Sequence, residues 1–153
     1  MNEINALYHE LIIDHGRSPR NFGVLEKVPH LEGFNPLCGD RLTLYLHMEN
    51  GRIQALKFTG QGCAISMASA SLMTQVLMGK TLAEAEQLFA SFHHMLTEGA
   101  VDQDLLGKLT VLAGVAQFPS RIKCATLAWH TLNALMHGKQ EVISTEDHHG
   151  IEE

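Results

Sequence analysis

Basic charge is scarce in this 153-residue sequence: 11 Lys and Arg stand against 17 Asp and Glu, for a net charge of −6. Nucleic-acid binding needs a basic footprint that displaces counterions from phosphates, so the sequence argues against that class of partner. Apolar runs are short as well, and none approaches the roughly 18 residues of a membrane span. Met1-Asn2-Glu3-Ile4-Asn5 carries an acid where a secretory signal carries basic charge, and the expectation is a cytoplasmic protein that does not engage a membrane. No internal repeat and no linker is visible, which predicts one domain over 1–138 and a flexible acidic tail over 139–153. Cysteine is also sparse. Cys38, Cys63 and Cys124 are an odd number, so they cannot all pair with one another, and a reducing compartment argues against disulfides.

What the sequence does contain is strong local patterning. Ile4, Leu7, Tyr8, Leu11 and Ile12 recur at helical spacing over Glu3–Asp14, with Gly16 as the expected stop. Pro29 and Pro36 bracket a short segment suited to an edge strand. Leu42, Leu44, Leu46 and Met48 alternate with polar partners, the period of a half-buried strand. Asn50-Gly51 then supplies the positive φ angles of a type I′ hairpin turn, and a second strand follows through Ile53–Phe58. Its apolar parity switches at Ala55–Leu56, which predicts a bulge there.

From Ala64 onward the character is helical. Helices are expected over Ala64–Met78, Leu82–Leu96 (opened by a Thr81…Glu84 capping box), Leu105–Ala116 and Arg121–Met136. Early strands and late helices predict an α+β fold, a small antiparallel sheet of about three strands with helices on one face.

All three cysteines fall at element boundaries on that map. Cys38 lies in Asn35-Pro36-Leu37-Cys38-Gly39-Asp40, just before the hairpin, and Cys63 sits between strand and helix. Cys124 is placed near the start of the last helix, beside Arg121 and Lys123. A helix N-terminus favours thiolate, which is the reading for Cys63 and Cys124. Asp40 could present a carboxylate to the same centre, and three thiolates with one carboxylate complete a tetrahedral zinc set. Spacings of 25 and 61 residues, with no C-x-x-C pair, are by themselves a weak metal signal. On the residues alone, a shared metal site and three unrelated thiols both remain open. His93-His94 and His148-His149 are read as helix surface and tail, and Met67, Met73 and Met78 as core filling.

The segments Asn35–Asp40, Gly60-Gln61-Gly62-Cys63-Ala64-Ile65-Ser66-Met67-Ala68-Ser69-Ala70-Ser71 and Pro119-Ser120-Arg121-Ile122-Lys123-Cys124 resemble the NifU-N/IscU family of iron–sulfur assembly proteins. Asp14-His15 and Pro19-Arg20-Asn21 are similar to that family's N-terminal region, so the likeness runs over about residues 3–138. Within the family the chain most resembles the SufU branch. Lys123 stands where IscU-type scaffolds carry a histidine, and Glu98–Gln117 fits the longer insertion of SufU-type proteins. The resemblance implies zinc held by Cys38, Asp40, Cys63 and Cys124, with Cys38 as the mobile thiol. That thiol would accept persulfide sulfur from a pyridoxal-phosphate cysteine desulfurase of the SufS type, with Arg121 helping to engage it. Downstream iron–sulfur assembly proteins or apo-acceptors would receive the sulfur. The alternative it carries is an IscU-type scaffold that builds a [2Fe–2S] cluster on the same ligands.

Overall fold

Alternation along β2 (Asp40–Glu49) puts Leu42, Leu44 and Leu46 on one face, and all three are buried. In the computed structural model, which describes residues 3–138 and 142–145, that face is covered by helices. β2 pairs antiparallel with β3 (Arg52–Gln61) through the two-residue turn Asn50-Gly51, whose φ angles of 55° and 76° are those of a type I′ turn. The register shifts between His47↔Ala55 and Met48↔Ile53, so Gln54 is the extra residue, one position before the expected parity switch. β1 (His30–Asn35) pairs antiparallel with the other side of β2.

Two expectations are corrected here. The sheet has four strands, ordered β3-β2-β1-β4, and is mixed, because β4 (Ile143–Ser144) lies parallel to β1 at Gly33 and Phe34. β1 is therefore an inner strand at those two residues. β4 falls inside the stretch expected to be a flexible tail. Burial of Ile143 and Thr145 and the bond from the Thr145 N–H to the Phe34 carbonyl (3.0 Å) hold it in place. Positions 139–141 and 146–153, including His148-His149, lie outside the described residues.

The helices follow the sequence pattern with shifted ends. α1 (Glu3–Arg17) runs past Gly16, which packs close to Ala64. α2 (Ala64–Leu77) is built from Ala, Ser and Met, with Ala68, Ala70, Leu72 and Met73 fully buried, while Met78 just beyond it is partly exposed. α3 (Leu82–Glu98) opens with the predicted box: Thr81 Oγ1 accepts from the Glu84 N–H at 3.1 Å and Glu84 Oε1 accepts from the Thr81 N–H at 2.9 Å. The helix expected over Leu105–Ala116 is instead one α turn, α4 (Gln103–Leu106), and a 3₁₀ stretch over Gly107–Gln117. Gly107, at φ 51°, breaks the α path between them.

α5 (Pro119–Met136) crosses β1 and β2 and centres the core on Trp129. The indole stacks on Phe92 at 4.6 Å and donates to Ser69 Oγ at 3.2 Å. No helix among the described residues is long and apolar enough to cross a membrane.

Candidate functional site

Three separated segments meet at one end of the sheet. The turn from β1 to β2 carries Cys38, the first residue of β2 is Asp40, Cys63 caps α2, and Cys124 lies in the second turn of α5. Asp40 begins an inward-facing alternation, so its carboxylate is fully buried beside the leucines of β2. Burial of that kind requires partners. Oδ1 accepts from the Cys63 N–H at 2.8 Å, and Oδ2 accepts from the Asn35 amide at 3.1 Å. Gly62 makes the approach possible, since a Cβ there would stand 2.5 Å from Asp40 Oδ1.

The sulfurs are unequal. Cys38 is exposed, on a turn whose next residue, Gly39, has φ 74° with open space around it. Cys124 is fully buried, and its Sγ lies 3.0 Å from Cys38 Sγ. Cys63 is half-buried, its Sγ 4.0 Å from Asp40 Oδ2 and accepting from the Ser66 N–H at 3.4 Å. The ligand atoms of Cys38, Asp40 and Cys124 all lie within 4.8 Å of one another, and Cys63 borders that triad.

Cys63 stands where the sequence put it, at a helix N-terminus with its sulfur in the capping position. Cys124 does not. It sits beyond the first turn, where the helix dipole has faded, and burial and then the Cys38 thiol raise its pKa above the ordinary range. Arg121 is exposed on the same helix, and interaction with Cys124 followed by the charges of Cys63, Cys124 and Cys38 raises its pKa. It is therefore a fixed cation at the mouth of the site. His93 and His94 are exposed on α3, away from this cluster, as the sequence implied.

Asn35 is a residue of the site that sequence reasoning passed over. Fully buried, it donates to Asp40 and, at 3.5 Å, to Cys124 Sγ. Its only signal was its place in the Asn35-Pro36-Leu37-Cys38-Gly39-Asp40 motif.

Two sulfurs and a carboxylate stand within 4.8 Å of one another with a third sulfur bordering them, a soft donor set that suits zinc. Sulfurs on tetrahedral zinc stand about 3.8 Å apart, so the 3.0 Å contact between Cys38 and Cys124 would open by about 0.8 Å. The exposed Cys38 turn can supply that movement. The residues fit the metal.

The NifU-like N-terminal domain family matches residues 7–125. The chain belongs to this family. Within it, the NifU-N chain is similar to the zinc-dependent sulfurtransferase SufU of Bacillus subtilis, 42% identical over 84% of this chain and 88% of that protein. It is also similar to the iron–sulfur cluster assembly scaffold protein IscU of Streptococcus pyogenes, 40% identical over 86% and 84% of the two chains. Among solved structures, a putative SUF-system scaffold from Fervidobacterium islandicum superposes with a TM-score of 0.81 at 34% identity, covering 86% of this chain and 98% of that one. This NifU-N chain is thus of the IscU/SufU type, of which the S. pyogenes IscU and the F. islandicum protein are named iron–sulfur cluster assembly scaffolds.

Proposed function

We propose that the protein is a zinc-holding sulfur acceptor for iron–sulfur cluster assembly. Cys38 takes persulfide sulfur from a pyridoxal-phosphate cysteine desulfurase of the SufS type and relays it to cluster-building proteins or apo-acceptors. The carrying observation is the unequal thiol pair: exposed Cys38 in contact with buried Cys124 above a buried carboxylate. Similarity to a protein named as a zinc-dependent sulfurtransferase supports the same reading. We assign the activity to the cytoplasm, where free thiols persist.

Cys38, Asp40, Cys63 and Cys124 would hold the metal. Bound zinc would supply no redox chemistry, only thiolate stabilisation and a tie between the three segments. In the transfer step the Cys38 thiolate attacks the outer sulfur of the desulfurase persulfide. A new S–S bond forms at Cys38, the persulfide S–S bond breaks, and its electron pair leaves on the desulfurase cysteine. Gly39 lets the Cys38 turn move toward the partner, and Arg121 offers positive charge where sulfur anions gather. Asp40, Cys63 and Cys124 stay fixed by the buried bonds behind them.

The second reading is a scaffold that assembles a [2Fe–2S] cluster on the same ligands, favoured by the likeness to IscU of S. pyogenes. Lys123 weighs against it, because an ammonium is a donor and a poor metal ligand. Metal analysis of aerobically purified protein, paired with a desulfurase assay, separates the two. Near-equimolar zinc with faster sulfide release is the expected result. A coloured iron protein that leaves the desulfurase unchanged would overturn it. Cys38→Ser is expected to abolish the mass gain of one sulfur atom that wild type shows after incubation with desulfurase and cysteine.

A further inference from the structure

We propose that Asn35 and Thr145 form a positioning pair that fixes Asp40 and Cys124 and leaves Cys38 as the reactive member of the thiol pair. The inference rests on the functional reading above. It adds a residue from the stretch in which the sequence showed no role.

The two ends of a primary amide have nearly the same shape, so its partners decide which way it points. Asn35 Oδ1 faces two donors, the Leu37 N–H at 3.3 Å and the Thr145 hydroxyl at 3.0 Å. The amide NH₂ must then take the other end, where it meets two acceptors, Asp40 Oδ2 and Cys124 Sγ. Flipping the amide would set its oxygen against the carboxylate and its NH₂ against an N–H. Asn35 and Asp40 are both fully buried, so neither mismatch is relieved by water.

Of the two donors, Leu37 is a neighbour in the chain and would accompany the turn as it moves. Thr145 is the independent anchor. It comes from 110 residues away and is only 4% exposed, held to β1 through its own N–H and the β4 pairing.

The chemical result is an asymmetry between two sulfurs 3.0 Å apart. Cys124 is fully buried with the Asn35 N–H on its sulfur, so a reagent reaches it only when that anchor loosens, whereas Cys38 is exposed. Asn35 makes no such bond to Cys38. Outer groups that orient ligands in this way typically change metal affinity 10–100-fold when removed.

Thr145→Val and Thr145→Ser in the full-length protein test the pair. Chelator competition reads zinc affinity, and iodoacetamide labelling of metal-free protein, mapped by peptide, reads the Cys124-to-Cys38 ratio. Thr145→Val is expected to weaken zinc by about tenfold or more and to raise the labelling ratio several-fold, while Thr145→Ser stays within about threefold of wild type. Thermal melts check that both variants remain folded. The proposal is overturned if Thr145→Val matches wild type in both readouts. It is overturned equally if Thr145→Ser fails as badly as Thr145→Val, since packing would then explain the loss. Absence of zinc from wild type would sink the metal reading of the previous section, and the labelling ratio would still decide the positioning pair.

Discussion

Gly62→Ala is the sharpest test of how the site is built, because it adds one methyl group and nothing else. The new Cβ would lie 2.5 Å from Asp40 Oδ1, 3.0 Å from its Cγ and 3.1 Å from its Cβ. Relief to an ordinary contact of about 3.4 Å requires the carboxylate to shift by most of an ångström. Asp40 is fully buried, and its Oδ1 is the acceptor for the Cys63 N–H at 2.8 Å. That charge-assisted bond, worth about 1.5–3 kcal/mol, is lost or stretched, and overpacking adds about 1 kcal/mol or more. The expected destabilisation is about 3 kcal/mol, read by urea unfolding, or about 6–12 °C in Tm for a chain of this size. Zinc retention is expected to fall with it. Gly39→Ala is the control: its φ of 74° is strained for alanine but no atom lies within 4 Å, so the cost is about 1 kcal/mol. A Gly62→Ala protein within about 0.5 kcal/mol of wild type would refute the close-approach argument.

Three further outcomes can be measured on stability alone. Thr81→Ala removes half of the reciprocal α3 cap and is expected to cost about 1 kcal/mol in urea unfolding. Ser66 Oγ is buried without a partner among the described residues, so Ser66→Ala is expected to be neutral or to stabilise by up to about 1 kcal/mol. Burial and then the nearby His93 push the His130 pKa down from 6.5 to about 4, so the folded protein holds this imidazole neutral. The unfolded chain therefore binds the extra proton between those values, and stability falls as pH drops from 6.5 toward 4. By pH 5 the loss is about 2 kcal/mol relative to neutral pH. His130→Phe, placed against the Phe89 ring 5.1 Å away, is expected to flatten that dependence, and an unchanged slope would show that other groups carry it.

Local chemistry made most of the fold legible. Asn50-Gly51 and the Leu42–Leu46 alternation specify the hairpin without help from the rest of the chain, and Thr81…Glu84 marks the start of α3 by bonds within four residues. The convergence of Cys38, Asp40, Cys63 and Cys124 was legible as a set, through motif resemblance rather than spacing. What escaped depended on distant partners. β4 is two residues long, too short to show any period, and it exists because β1 offers an edge at Gly33 and Phe34. Cys124 follows Arg121 and Lys123 near a helix start, so its neighbours in sequence suggested a thiol held as thiolate. Its neighbours in space are Cys38, Asn35 and the core, and burial dominates. Asn35 was passed over because its four bonds, two of them to Cys124 and Thr145, are invisible in sequence.

The link between Thr145 and Asn35 also has a direction in time. During synthesis Cys38 and Cys63 emerge early, while Cys124 follows Cys38 by 86 residues and Thr145 follows Asn35 by 110. A nascent or prematurely terminated chain therefore presents accessible thiols with no buried counterpart beside them. The two sulfurs become unequal in exposure only after α5 has packed around Cys124, and Thr145 reaches Asn35 only after β4 has docked. The arrangement serves as a proof of completion: a fragment can carry cysteine, and only a finished molecule carries the unequal pair.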